Sequence, residues 1–262
     1  MMFEILTSDI SASTATLLFC IAFISGIGIT TIGPGGIFLT VALYALTTLS
    51  AGVIAGTVQI AFIFTGVIGT LAYVNSGEIS SDSSTQIVFL CGGSVGGALL
   101  GSWVNRLVSR EFFGILLGCL AGVVGVTILY RQARSLDPIV EVNSATLAGK
   151  CAFMLLGIVL GSFSGLLGVG GPVIAVPALI MIGVPMLQAV AAAQVQSVFI
   201  AFFSATGYFL QGRIAFSLAV LIAIPLAGGV ILGWKIAHRV DPDRLKSSLG
   251  WILLLIAPYL AN

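Results

Sequence analysis

No Asp, Glu, Lys or Arg lies deep in any of the long apolar runs of this sequence, and those runs make up most of its 262 residues. A run of about 20 such residues is what a helix needs to cross a bilayer. Of the whole chain 58% is hydrophobic and only 7% charged, against about 25% charged in a soluble domain. So few polar groups could not cover a water-soluble surface, so the solvent of this chain is lipid and a soluble enzyme is excluded. The net charge of +1 gives no basic face for nucleic acid. Glu4 and Asp9 precede the first run without any Lys or Arg, which argues against a cleaved leader, whose start is basic. Cys20, Cys91, Cys119 and Cys151 fall in or at the edge of apolar runs, with no CxxC spacing and no nearby His. They read as buried free thiols that fill space.

Six runs have the length of one span: about 51–74, 85–107, 111–131, 186–211, 214–237 and 245–261. Two others, about 13–48 and 150–183, would each reach about 50 Å as straight helix, against a hydrocarbon core of about 30 Å. Each contains a break: Gly33-Pro34-Gly35-Gly36 in the first, Gly168-Val169-Gly170-Gly171-Pro172 in the second. Glycine without a Cβ and proline without an N–H cannot hold regular helix there. Irregular backbone at membrane depth survives only inside protein or beside a water-filled cavity.

An offset of 135 superposes the two breaks, placing Gly33 on Gly168, Gly35 on Gly170 and Gly36 on Gly171. The same offset aligns Gln59 with Gln194, Phe64 with Phe199, Tyr73 with Tyr208 and Glu78 with Arg213. Beyond the next loop it becomes 132, with Gly97 on Gly229 and Gly101 on Gly233. The expected architecture is an all-α integral membrane protein of about eight transmembrane helices in two tandem repeats. Residues 1–135 form the first repeat, 136–149 a linker and 150–262 the second, each repeat opening with a Gly-broken or re-entrant helix followed by three spans.

A broken segment that crosses once gives four crossings per repeat and parallel repeats; one that crosses out and back gives five, and inverted repeats. Lys and Arg divide six against four in the first case and seven against three in the second, so the positive-inside rule fits both. The shortness of the pieces after each break favours four.

The stretch Gly161-Ser162-Phe163-Ser164-Gly165-Leu166-Leu167-Gly168-Val169-Gly170-Gly171-Pro172, continuing through Val176-Pro177, resembles the TauE/SafE sulfite exporter family. Gln194, Ser197, Thr206-Gly207-Tyr208 and Gly212-Arg213-Ile214 follow in that family's order, and the first half carries a weaker copy with Pro34 at a place usually apolar. The resemblance covers nearly the whole chain. It implies a multi-pass protein of the cell membrane that acts as a secondary transporter of small anions, with sulfite, sulfoacetate and related organic sulfur acids among the candidate substrates.

A broken helix offers an anion the free N–H groups and positive dipole end of its second piece, with no charged side chain required. Gly33, Gly35, Gly36, Gly168, Gly170 and Gly171 are therefore substrate-site candidates, ahead of a role in close packing. The remaining glycine series, Gly92-Gly93, Gly96-Gly97, Gly101, Gly118, Gly122, Gly125, Gly228-Gly229 and Gly233, reads as helix packing. Gln59 and Gln194 sit mid-span and must find partners, either substrate or a neighbouring helix; Ser197 shares the second site. Arg213 is either an anion-attracting vestibule residue or a headgroup anchor. Tyr73 and Tyr208 read as interface-belt anchors, and His238 as a solvated surface residue. No catalytic set, metal-ligand set or cofactor motif appears. The expected function is export of a small sulfur-containing anion by alternating access, with an anion channel or a non-transporting scaffold as alternatives.

Overall fold

A computed structural model describes residues 11–79, 81–134, 142, 146–239, 250, 251, 253–255, 257 and 258. Most of the expected linker, and most of the run near 245–261, lies outside them. Helices α1 (Ala12–Thr31), α2 (Gly36–Leu46), α3 (Ala51–Asn75), α4 (Ser81–Val104) and α5 (Arg110–Arg134) are followed by α6 (Leu147–Leu167), α7 (Gly171–Met181), α8 (Met186–Leu210) and α9 (Phe216–Ala237). The described residues from 250 to 258 are helical as well. Among the described residues seven helices are long and apolar enough to cross a membrane. The two others, α2 and α7, have 11 residues each, about 16 Å of helix and half a hydrocarbon core.

Local chemistry sets the ends. Ser11 and Thr146 cap α1 and α6 by accepting the N–H of Thr14 (3.1 Å) and Gly149 (3.0 Å). Helices α3 and α8 stop in the same way at positions 135 apart. Gly77 and Gly212 turn left-handed, and the N–H groups of Glu78 and Arg213 reach back to the carbonyls of Tyr73 and Tyr208. That is the Schellman stop, which glycine enters without a Cβ penalty.

The direction of the helices follows from their contacts. Along α3 and α8, Gly56 meets Tyr208, Gly66 meets Val198 and Gly69 meets Gln194, so these equivalent helices run antiparallel. Along α4 and α6, Gly93 meets Met154, Gly97 meets Ile158 and Gly101 meets Ser162; this pair is parallel. Gly229 meets Phe23 and Gly233 meets Ile27, so α1 and α9 are parallel too, and each contact lies 135 or 132 residues from its counterpart. Chain direction therefore alternates from α1 through α5, with α2 returning toward the face where α1 began. There Arg110, at the start of α5, donates to the carbonyls of Tyr44 (2.5 Å) and Thr47 (2.7 Å) at the end of α2. These directions fit the alternative with five passes per repeat and not the favoured four. The short second piece has the length of a hairpin arm that turns back, about half a hydrocarbon core.

Lipid gives helices no hydrophobic reason to associate, so close approach of backbones does the work. In α4 the glycines at 93, 97 and 101 lie against α6 carbonyls, and in α6 those at 157, 161 and 165 lie against α4 carbonyls. A Cβ at any of these six would stand 2.0–2.6 Å from a carbonyl oxygen. The partners Gly92 and Gly96 face open space, so only one member of each glycine pair packs. Gln196 Nε2 donates to Ser94 Oγ (2.8 Å), which in turn donates to the Leu90 and Gly157 carbonyls, joining α8, α4 and α6. The cysteines depart from expectation: Cys91 is buried, but Cys20, Cys119 and Cys151 are exposed. On outward faces of apolar helices a thiol is compatible with lipid, so hydropathy could not separate the two placements.

Candidate functional site

The two breaks meet. A Cβ on Gly33 would strike Val176 and the Pro172 carbonyl of α7, and one on Gly36 would lie 2.7 Å from the Val169 carbonyl. Between them lies a narrow cleft with nowhere enough room to seat a water molecule. It is lined by Ile29, Gly33 and Gly36 from the first break, Val169, Gly170 and Pro172 from the second, and Phe62, Thr65 and Ser197 from α3 and α8. Phe62 and Ser197 are near the midpoints of 25-residue helices, which puts the cleft at mid-depth.

The two helix starts at the cleft differ. In α2 the first turn closes on itself, Ile37 N–H reaching the Pro34 carbonyl (3.4 Å) and Phe38 N–H the Gly35 carbonyl (3.3 Å). The first turn of α7 has no such bonds among the described residues, and its Gly170 cap is at φ 80°, ψ 154°. Among the described residues the N–H groups of Gly171 and Val173 have no backbone acceptor at the positive end of the helix, and Pro172 has no N–H to offer. The backbone leading into it is pinned: Ser164 Oγ donates to the Gly170 carbonyl (2.6 Å) and Thr40 Oγ1 to the Gly168 carbonyl (2.5 Å). Ser197 is 4% exposed, and its hydroxyl has no hydrogen-bond partner among the described residues. Thr65, by contrast, turns its hydroxyl to the Ala61 and Phe62 carbonyls. A free hydroxyl and a free helix start side by side can together hold one oxyanion without any cation.

Of the glycines expected here, Gly33, Gly36 and Gly170 line the cleft, and Gly171 backs it, with Ser197 3.0 Å from its Cβ position. Gly35 and Gly168 do not: Gly35 packs on Gly28, and Gly168 on Ala55. They are close-packing glycines, and Gly168, at φ 63°, is also the left-handed cap of α6. Gln59 and Gln194 are absent from the lining. Each reaches the broken helix of the other repeat, Gln59 Nε2 to the Ser164 carbonyl (2.9 Å) and Gln194 Nε2 to the Ile29 carbonyl (3.3 Å). The acceptors are 135 apart, as are the donors.

Tyr73 and Tyr208 correct the reading of them as interface anchors. Both are fully buried, and their hydroxyls donate to the Thr30 (2.5 Å) and Gly165 (2.8 Å) carbonyls, again 135 apart. A tyrosine ending an apolar run has the composition of a belt residue; only the neighbouring chain shows that it faces inward. Arg213 stays outside the cleft, its side chain over Gly52 beside Asn105. That is ten residues along α3 from Phe62, about 15 Å. His238 is exposed, donates at Nδ1 to the Trp234 carbonyl (2.8 Å), and lies 3.8 Å from Glu78. Phe62 is the largest of several lining residues, Ile29, Thr65 and Val173 among them, that sequence reasoning passed over, and the offset of 135 already set it against Ser197.

Comparison with known proteins agrees with this architecture. The family described as sulfite exporter TauE/SafE matches residues 11–260. A probable membrane transporter protein of Methanocaldococcus jannaschii, MJ0441, is 25% identical over 254 residues, covering 90% of this chain and 91% of its own. The probable membrane transporter proteins YdhB and YunE of Bacillus subtilis are each 24% identical, YdhB over 89% of this chain and 94% of its own, YunE over 85% and 84%. No solved structure matches the chain. With nearly every described residue inside that family match, the chain belongs to the sulfite exporter TauE/SafE family and is a multi-pass membrane transporter.

Proposed function

We propose that the chain exports a small sulfur oxyanion or organosulfonate across the cell membrane by alternating access. It would work as two repeats, 1–135 and 150–262, joined by 136–149. The observation that carries this reading is the cleft at mid-depth, where the open first turn of α7 and the unpartnered Ser197 hydroxyl face one another. An oxyanion of sulfur offers several acceptors to such donors and needs no buried cation to neutralise it. Gly33, Gly36, Gly170 and Gly171 let backbone approach the ligand, while Gln59 and Gln194 hold the ends of the broken helices that frame it. Gly35 and Gly168 serve the same frame by close packing.

Closure of the cleft favours a carrier over a standing channel. With alternating helix directions, Arg106, Arg110 and Arg213 share one face, and among the described residues Arg131, Arg134, Lys150, Lys235 and Arg239 fall on the opposite one. The positive-inside rule makes the face with five cytoplasmic, and Arg213 then stands at the outer mouth, where it draws anions by charge.

The test uses purified protein in proteoliposomes with sulfite, methanesulfonate, sulfoacetate and simple carboxylates, following both binding and flux. Saturable flux of sulfite or a sulfonate is expected; absence of binding and flux for every one of these anions overturns the reading.

A further inference from the structure

Phe62 and Ser197 occupy equivalent places, 135 residues apart, on α3 and α8. Each faces the first residue of a short helix: the Phe62 ring lies 3.0 Å from the Cβ position of Gly36, and Ser197 Cβ lies 3.2 Å from that of Gly171. The contacts correspond but the chemistry does not, since one place holds a large aromatic ring and the other a small hydroxyl. The ring also crosses to the second break, where it comes within 3.0 Å of the Cβ position of Gly170. It is 2% exposed and so spans the cleft from the start of α2 to the start of α7.

We infer that Phe62 is the plug of this cleft: its ring closes the path to the first turn of α7, must swing aside for a ligand to enter, and sets the largest ligand the site accepts. The inference rests on the anion reading for what enters, but not for how entry is blocked. Three observations support it. The cleft has no space for a water, and a sulfur oxyanion is several times larger, so something lining it must move. Its backbone walls are held: Thr40 and Ser164 pin the second break, and Gln194 and Tyr73 hold the last turn of α1. Among the lining side chains, Phe62 is the one large enough to vacate an oxyanion's volume by changing rotamer. The asymmetry also fixes the number of ligands. The start of α2 is both closed on itself and covered by the ring, so one anion binds per chain, at α7.

The test labels a cysteine inside the cleft. Ser197→Cys is made in full-length protein whose four native cysteines are replaced by alanine, and its reaction with a small anionic methanethiosulfonate is timed. Phe62→Ala is expected to raise that rate by roughly tenfold or more and Phe62→Leu by an intermediate factor, because the rate follows the fraction of protein with the site open. Variants that elute as a single species are compared, and the leucine variant decides should the alanine variant not fold. An unchanged rate in either folded variant overturns the plug. Methanesulfonate, which does not consume the reagent as sulfite does, is expected to slow labelling with Phe62 in place, and benzenesulfonate only after Phe62→Ala. Faster labelling in the variants without protection by any sulfonate supports the plug, and it sinks the anion reading when methanesulfonate also fails to bind protein that keeps Ser197. Equal protection by benzenesulfonate with and without Phe62 removes its role in size selection.

Discussion

The last turn of a helix that stops inside the membrane leaves carbonyls that water cannot satisfy. In this chain two adjacent carbonyls of each broken helix are met by side chains from α3 and α8, one by a glutamine of the other repeat and one by a tyrosine of its own. Gln194→Leu should lower stability by about 1–3 kcal/mol, since it strands the buried Ile29 carbonyl, whereas Gln59→Leu should cost less, because the Ser164 carbonyl keeps the Gly168 N–H (2.8 Å). Tyr208→Phe, which keeps the ring and loses one bond, should lower it by about 1 kcal/mol. Thermal unfolding in detergent is the measurement, and a larger shift is expected for Gln194→Leu than for Gln59→Leu. Ser197→Ala should behave in the opposite way. Its hydroxyl has no partner to lose among the described residues, so unfolding stays put while affinity for methanesulfonate falls about tenfold, the worth of one charge-assisted hydrogen bond. The need for partners at Gln59 and Gln194 was legible in the sequence because an amide in an apolar run cannot stay bare. Who the partners are was not, because they lie 105 and 165 residues away. The distinction between Ser197 as donor and Gln194 as frame was hidden for the same reason.

Among the elements, the paired glycines of α4 divide their labour. Gly97→Leu puts a side chain where even a Cβ would stand 2.2 Å from the Ile158 carbonyl, whereas Gly96→Leu meets nothing within 4 Å. The first should abolish monodisperse protein on size exclusion and the second should leave it intact, because backbone cannot yield to a bulky group as lipid can. Sequence pattern marks such a helix as one that packs closely but not which of two adjacent glycines faces the partner. The breaks themselves were legible, since no helix runs through Gly33-Pro34-Gly35-Gly36. That the piece after each break turns back was not, because 11 apolar residues have the same composition whether they finish a crossing or retrace one.

For the whole molecule, the antiparallel course of α3 and α8 has a direct consequence for sidedness. Asn75 and Leu210 end these equivalent helices and both are exposed. In a background without native cysteines, Asn75→Cys and Leu210→Cys should react with an impermeant thiol reagent from opposite sides of the membrane. Labelling of both from the same side would return the repeats to a parallel arrangement. The repeat was legible from the offset of 135, but its hand was not, since ten basic residues divide acceptably under either topology. Contact between particular residues of α3 and α8 is what favours the antiparallel course.

The pairing of α1 with α9 also bears on how the protein is made. Thr30 donates to the carbonyl of Val230, 200 residues further on (2.9 Å), and Gly26 rests on α9 backbone. A ribosome adding about 5–20 residues per second needs roughly 10–40 s to cover that interval. Throughout it the glycine face of α1 has only lipid, or an insertion factor, for company. The first repeat emerges first yet cannot finish its own packing, so assembly must wait for the last helices. Residues 1–135 expressed alone should be degraded, and co-expression with 150–262 should rescue both pieces, read as the membrane abundance of each.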